Sequence, residues 1–242
     1  MSLQYQSEET EEVVDSSPIP TPPAPVLTYI LVTATVAVAA LQILSGLEAS
    51  IIAAGFDKPA FIENREYWRI LTGATVHAGP LHVGMNCYAL FSFGRIIEML
   101  SNRAHLAIIF LLAALGGGLA SLIFAPEGLS VGASGGVVGL LGYLAVYAFR
   151  RRRFIDRGFR KSLLINIGFI LVFGLVLSQA IDNYAHIGGL LTGAVYGLVQ
   201  IPSDEYVDPR GASQLVKLLG FGAAAVYLGS CLFSILLFFG YV

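Results

Sequence analysis

Two residues of this chain have the side-chain types and the setting for acyl transfer. Ser134 lies in the run Val131-Gly132-Ala133-Ser134-Gly135-Gly136, among neighbours too small to shield its hydroxyl. A serine hydroxyl is a weak nucleophile until a base takes its proton, and a neutral imidazole with an ordinary pKa of about 6.5 suits that task. His186 is the candidate base. His82 and Asn86, four residues apart and so on one helix face, offer N–H donors for charge developing on a carbonyl oxygen. The backbone N–H of Ser134 would join them. Pro126, Gly128 and Gly132 precede the serine, so a helix is expected to begin close to it. The free N–H groups and partial positive charge of that terminus favour an oxyanion.

Each part also has a bland reading. Gly, Ala and Ser at short spacing are what close helix packing in a membrane selects. His186 alone reads as a histidine bonded across helices, and His82 with Asn86 as a structural polar clasp. What favours chemistry is their joint placement, which depends on the elements that carry them.

Those elements are membrane helices. The chain is 56% apolar and 12% charged, with a mean hydropathy of +0.75, whereas about a quarter of the residues of soluble domains are charged. The net charge is -2 and no basic surface suggests a nucleic-acid partner. Cys87 and Cys231 both fall inside apolar runs and read as small buried hydrophobes, not as a disulfide or a metal pair. A span of the roughly 30 Å hydrocarbon core needs about 20 apolar residues. Seven such spans are expected, at about Val26–Leu47, Leu81–Leu100, Ala104–Phe124, Gly132–Phe149, Leu163–Leu177, Tyr184–Ile201 and Leu215–Tyr241. The fold class is therefore an all-α polytopic membrane protein. Residues 1–25, with Glu8, Glu9, Glu11, Glu12, Asp15 and five prolines, are expected to form a disordered acidic and proline-rich tail. They lack the early positive charge of a signal peptide or presequence.

Arg150, Arg151, Arg152, Arg153, Arg157, Arg160 and Lys161 crowd the link between the fourth and fifth spans, which is then cytoplasmic. The links after the third and fifth spans contain no Lys or Arg. Spans two, four and six run inward, with the amino terminus cytoplasmic and the carboxyl terminus outside. Lys58, Arg65 and Arg69 then sit awkwardly in an external link of about thirty residues. Its Trp68, Tyr67, Phe61 and Phe56 suggest a partly embedded loop, since such rings favour the membrane interface. In this topology His82, Ser134 and His186 all lie near the outer starts of inward-running helices, and Asn86 one turn further in. Polar side chains at that depth are costly unless they face the bundle interior, which makes them site candidates. Glycines at 189, 193 and 197 on the sixth span and at 135, 139 and 142 on the fourth would let the two helices approach closely. His77 either adds to the site or lies in the external loop; His105 reads as a bystander.

Trp68-Arg69, His82-x-x-x-Asn86, Gly132-Ala133-Ser134-Gly135 and Ala185-His186-x-x-Gly189-x-x-x-Gly193 together resemble the signature of the rhomboid intramembrane serine proteases, in that family's order, over about residues 61 to 200. The resemblance implies a six-helix core, here 26–201, joined by a cytoplasmic linker at 202–214 to one further carboxyl-terminal transmembrane helix at 215–242. It implies a Ser134–His186 dyad without an aspartate, an oxyanion hole with His82 and Asn86, supporting roles for Gly132, Gly189, Gly193, Trp68 and Arg69, and no cofactor or metal. It further implies transmembrane protein substrates that approach sideways between spans two and five and are cut within or near their membrane segment. The protein would be an integral multi-pass protein of the cell membrane with its site toward the extracytoplasmic side. Several members carry an aromatic residue four after the serine, stacked on the histidine; here it is Val138, so His186 must be oriented otherwise. The residue before the serine is Ala133, not the proline typical of dead relatives. The rival readings are a catalytically silent rhomboid-like protein that binds transmembrane clients for trafficking or quality control, and a small transporter using His82 and His186 as a proton relay.

Overall fold

A computed structural model describes residues 24–179 and 181–241. The expected acidic tail thus lies almost wholly outside the described residues. Seven long helices account for most of the described residues: α1 (Val26–Ser45), α5 (Pro80–Leu100), α6 (Arg103–Phe124), α7 (Ser134–Arg150), α8 (Arg157–Val176), α9 (Asn183–Gln200) and α10 (Gln214–Phe238). Three short helices, α2 (Leu47–Ala54), α3 (Lys58–Glu63) and α4 (Arg69–Thr72), fold the first link. A two-residue antiparallel strand pair, β1 (Phe56–Asp57) with β2 (Leu129–Ser130), is the sheet structure among the described residues.

All seven expected spans correspond to helices. Four of them (α1, α6, α8 and α10) are long and apolar enough to cross a membrane by length and composition. Of the other three, α7 is apolar but only 17 residues long, while α5 carries His82, Asn86, Arg95 and Glu98 and α9 is rich in glycine. The fourth helix begins at Ser134, two residues later than expected. The fifth begins six residues earlier, because Asp156 accepts a hydrogen bond from the Phe159 N–H at 3.0 Å and caps it there. Arg157, Arg160 and Lys161 are therefore first turns of a helix and not link.

The centre of the molecule is α6, α7 and α9. Large side chains of α6 and α7, among them Phe110, Leu140, Leu141, Tyr143 and Leu144, are fully buried. α7 and α9 meet backbone to backbone. A Cβ built on Gly189 would overlap the Gly135 carbonyl, and one on Gly193 the Gly139 carbonyl. No residue but glycine permits that approach, and the close contact compensates for the glycines' poor helix propensity. α8 is peripheral, burying only Leu163 and Gly174. α10 packs on α1 and α6; the Tyr227 hydroxyl lies 2.8 Å from Thr35 Oγ1 of α1, and its ring stacks edge-on against Phe110 of α6. α1 is tied to α5 by Glu98, whose carboxylate accepts from the Thr28 N–H and hydroxyl, each at 2.7 Å. That pair satisfies donors a helix start leaves free.

The first link is a small folded unit and not an open loop. β1 pairs with β2, the Lys58 N–H donates to the Gly128 carbonyl at 3.3 Å, and the Gly132 N–H to the Gly73 carbonyl at 2.9 Å. Two of its three awkward cations have internal partners: Arg69 is paired with Glu66 and donates to the carbonyls of Ile52 and Gly55, and Lys58 faces Asp182, whereas Arg65 is exposed. Charges consumed in this way are poor topological signals. Trp68 packs edge-on against Phe233 of α10, with centroids 6.1 Å apart. At the opposite end of the bundle, Arg151 is buried and donates to the carbonyls of Asp204 and Val207 at 2.6 and 2.8 Å. Residues 202–214 are held against the end of α7 by this arginine.

Candidate active site

Ser134 is the first residue of α7 and is half-buried. The chain reaches it through Gly132, whose φ of 121° belongs to the left-handed region that side chains avoid. A Cβ there would also meet Cε1 and Nε2 of His82 at 2.8 Å. Gly132 is therefore required twice, for its turn and for the ring beside it. At the start of a helix the N–H groups of Ser134, Gly135 and Gly136 have no intrahelical acceptor, and among the described residues they meet no other.

The histidine reaches the serine through the glycine contact. Gly135 faces the Ala185 carbonyl, which would lie 3.5 Å from a Cβ at that glycine. Ser134 and His186 are thus each one residue from the same point of helix contact. His186 is 9% exposed. Its Nδ1 is buried and unpartnered among the described residues, which leaves Nε2 as the nitrogen available for chemistry. No hydrogen bond joins Ser134 to His186 among the described residues; catalytic hydrogen bonds commonly tighten only around a bound substrate. Val138 is buried one turn into α7, and no aromatic ring stacks on His186 among the described residues.

His82 and Asn86 share one face of α5. The Ala78 N–H donates to His82 Nδ1 at 3.3 Å, so the neutral ring carries its proton on Nε2, the edge that faces Gly132. Asn86 is buried and donates one amide hydrogen to the His82 carbonyl at 3.0 Å, which leaves a second N–H to donate. Ser134, His186, His82 and Gly132 thus converge at one end of the bundle. Asn86 lies a turn deeper, and Gly189 and Gly193 line the contact below. Trp68 packs on α10 and Arg69 braces the first link, which in turn holds Gly132 through the Gly73 carbonyl.

The structure gives His77, which the sequence left open between the site and the external loop, a place beside the serine turn, and it adds Asp182, which sequence patterns missed. His77 is 1% exposed, packs edge-on against His82 at 5.1 Å between centroids, and its Nε2 accepts from the Ala133 N–H at 3.4 Å. Gln42 of α1 fixes it through paired backbone contacts, donating to the His77 carbonyl at 2.8 Å and accepting from its N–H at 3.0 Å. His77 therefore supports the serine loop from beneath. Burial, reinforced by His82 nearby and weakly opposed by a backbone contact at Thr75, pushes its pKa down to about 3. The unfolded imidazole binds a proton near pH ~6.5, so between about 3 and 6.5 the unfolded chain holds the extra proton and stability rises with pH. This contribution is complete above that window and lost as pH falls through it. His77→Gln, which keeps an acceptor for Ala133, is expected to flatten the fall in thermal midpoint between about pH 7 and pH 4. An unchanged slope would remove His77 from this role.

Asp182 is the second such group. Its carboxylate accepts from Ser121 of α6, from Ser130 of β2 at 2.6 Å and from the Ala185 N–H at 3.0 Å, with Lys58 Nζ at 3.7 Å. Burial alone would raise its pKa, but these donors and the lysine hold it below the usual carboxylate value. Lys58 is 3% exposed, and burial lowers its own pKa despite the carboxylate. Asp182 caps α9 one turn ahead of His186, and so ties the histidine's helix to α6 and to the first link. An aspartate three residues before Ala185 is an ordinary cap signal; the lysine came from more than a hundred residues away and left none. Asp182→Ala removes the cap and leaves Lys58 buried without its partner, at an expected cost of ~3 kcal/mol in detergent unfolding. Lys58→Met with Asp182→Asn should recover most of it. Equal losses in the single and double variants would show that the pair is not coupled.

The comparisons with known proteins agree with this architecture. The model of the Rhomboid domain matches residues 64–203. The chain is 35% identical over 144 residues to "Rhomboid protease GluP" of Bacillus subtilis (strain 168), which covers 60% of this chain and 28% of that protein. It is 31% identical over 157 residues to "RHOMBOID-like protein 6, mitochondrial" of Arabidopsis thaliana, over 63% of this chain and 50% of that one. It is also 32% identical over 162 residues to "Inactive rhomboid protein 2" of Homo sapiens, over 64% and 19% respectively. The chain therefore spans half or less of the length of these relatives.

Proposed function

The chain belongs to the rhomboid family, and on that premise we propose that it is an intramembrane serine endopeptidase acting on single-span membrane proteins. The observation that carries this reading is the glycine contact between α7 and α9, which sets Ser134 and His186 one residue either side of Gly135 and Ala185. Ser134 Oγ attacks the scissile carbonyl carbon while His186 accepts the hydroxyl proton. The oxyanion so formed takes hydrogen bonds from His82 Nε2, from Asn86 and from the Ser134 N–H. Collapse of the tetrahedral adduct breaks the peptide C–N bond, and His186 returns the proton to the leaving amine. Water then repeats the sequence on the acyl-serine, with His186 again as base, and releases the carboxylate product. The site lies at the end of the bundle away from Arg150–Arg153, which in the proposed orientation is the extracytoplasmic end and the side from which water enters. The six-helix core at 26–201 and the extra helix at 215–242 follow as the proposed domain organisation, with no cofactor or metal in the reaction.

A second reading has a specific observation in its favour: relatives of similar identity are named inactive. On that reading the same bundle binds transmembrane clients without cutting them. Labelling of the full chain by a fluorophosphonate probe separates the two. The protease reading expects a labelled wild type and an unlabelled Ser134→Ala variant. An unlabelled, folded wild type that cuts no member of a panel of single-span substrates would leave the client-binding reading standing.

A further inference from the structure

At the end of the bundle opposite Ser134, a cavity of about 570 Å³ opens between the starts of α1, α6 and α10, within the roughly 300–1,000 Å³ range of small-molecule sites. Its wall is of two kinds. Leu27, Phe221 and Ala224 line it with apolar surface, and Arg103, Arg210 and Lys217 bring positive charge. Two of the three helix starts here are capped by a side chain, α6 by Asn102 and α10 by Ser213, and the helix dipoles add to the positive potential.

The anions nearby are committed elsewhere. Glu98 is held by the N–H groups of Leu27 and Thr28 and by the Thr28 hydroxyl. Asp208 is held by Arg210 at 2.8 Å. Arg103 and Lys217 are exposed, and among the described residues neither meets a carboxylate. Among the described residues, two cations without a carboxylate partner therefore flank an apolar recess at a helix-bundle end rich in arginine. A soluble anion would leave the apolar wall uncovered, and a neutral lipid would leave the cations unanswered. Basic recesses between membrane helices match the headgroups of anionic lipids.

We propose that this cavity binds one anionic phospholipid, its phosphate between Arg103 and Lys217 and its glycerol and upper acyl carbons against Leu27, Phe221 and Ala224. The site is separate from Ser134 and does not depend on whether the chain cuts substrates. It would fasten α10 to α1 and α6, at the point where Gly220 lets α10 touch the Ala104 backbone.

The test is competition read by native mass spectrometry. The purified full chain, in detergent, receives equal amounts of a phosphatidylglycerol and a phosphatidylcholine with the same acyl chains. Wild type is expected to retain one phosphatidylglycerol with about ten-fold preference, since each basic side chain near a lipid surface contributes several-fold to binding. Arg103→Gln with Lys217→Gln should bring the preference to parity while keeping the wild-type thermal midpoint. Arg157→Gln with Lys161→Gln, the same charge change on exposed first turns of α8, should leave the preference intact. The proposal is overturned if the first pair keeps the preference, or if the second pair loses it equally. It is overturned as well if millimolar inorganic phosphate displaces the lipid. Lipid preference that emerges only after Glu8, Glu9, Glu11, Glu12 and Asp15 are changed to their amides would assign the cavity to the chain's own acidic segment instead.

Discussion

Ser134→Ala is expected to lower the cleavage rate of a single-span substrate by roughly 10⁶-fold, on the scale seen when a serine hydrolase loses its nucleophile. Its stability should stay within about 0.5 kcal/mol of wild type. The two expectations have one physical origin. Ser134 stands at the first position of α7, half-buried, and its hydroxyl makes no hydrogen bond among the described residues. Removing an oxygen that bonds to nothing costs the fold little. The same oxygen forms the covalent bond in the proposed reaction, so no other group can replace it. Rate and thermal midpoint, measured on one preparation, therefore distinguish a catalytic serine from a packing serine. A packing serine would lower both or neither, and cleavage that persists in the folded variant would exclude Ser134 as nucleophile.

Gly193→Val should abolish both assembly and activity. The valine Cβ would overlap the Gly139 carbonyl of α7, and backbone cannot rotate away as a side-chain end can. Overpacking by side-chain atoms typically costs about 1–3 kcal/mol. Here α7 and α9 must part to make room, so a loss of ~3 kcal/mol or more is expected, seen as a lower thermal midpoint or failure to fold. Because Ser134 and His186 sit at the upper end of that contact, separation also moves the base from the nucleophile. Gly168→Ala is the matched control. Nothing lies within 4 Å of a Cβ at Gly168 on the outer helix α8, so alanine should be neutral or stabilising by up to ~1 kcal/mol through helix propensity. Normal stability and cleavage in Gly193→Val would refute the close contact and, with it, the geometric argument for the dyad.

Much of the scaffold was legible because membranes impose a one-dimensional code. Apolar runs near the length of the hydrocarbon core mark helices whatever their neighbours are, and all seven expected spans correspond to long helices. The glycine ladder was legible for a related reason: Gly135, Gly139, Gly189 and Gly193 recur at helical spacing, and only close approach explains so many glycines inside helices. Less legible were Asp182 with Lys58, Ser121 and Ser130, and Gln42 with His77. These partners come from separate segments and carry no periodicity, so nothing local announces them. The aromatic residues of the first link suggest a partly embedded loop. Its strand pair with residues 129–130 depends on a segment some seventy positions away, and the structure folds it into a brace for the serine turn.

Residue types set against apolar runs are enough to mark the polar candidates for the site and the helices that carry them. Ser134, His186, His82 and Asn86 are polar groups in apolar runs, and that cost is visible from residue types alone. Only the tertiary structure decided how they are held. It set the His82 proton on Nε2 through the Ala78 N–H, put His77 beneath Ala133, and anchored the His186 helix through Asp182 to Lys58. The reason is physical: composition and period report what each segment loses or gains against lipid. Hydrogen-bond partners, by contrast, are settled only when distant segments meet, as when the His82 ring comes to lie where a side chain at position 132 would be.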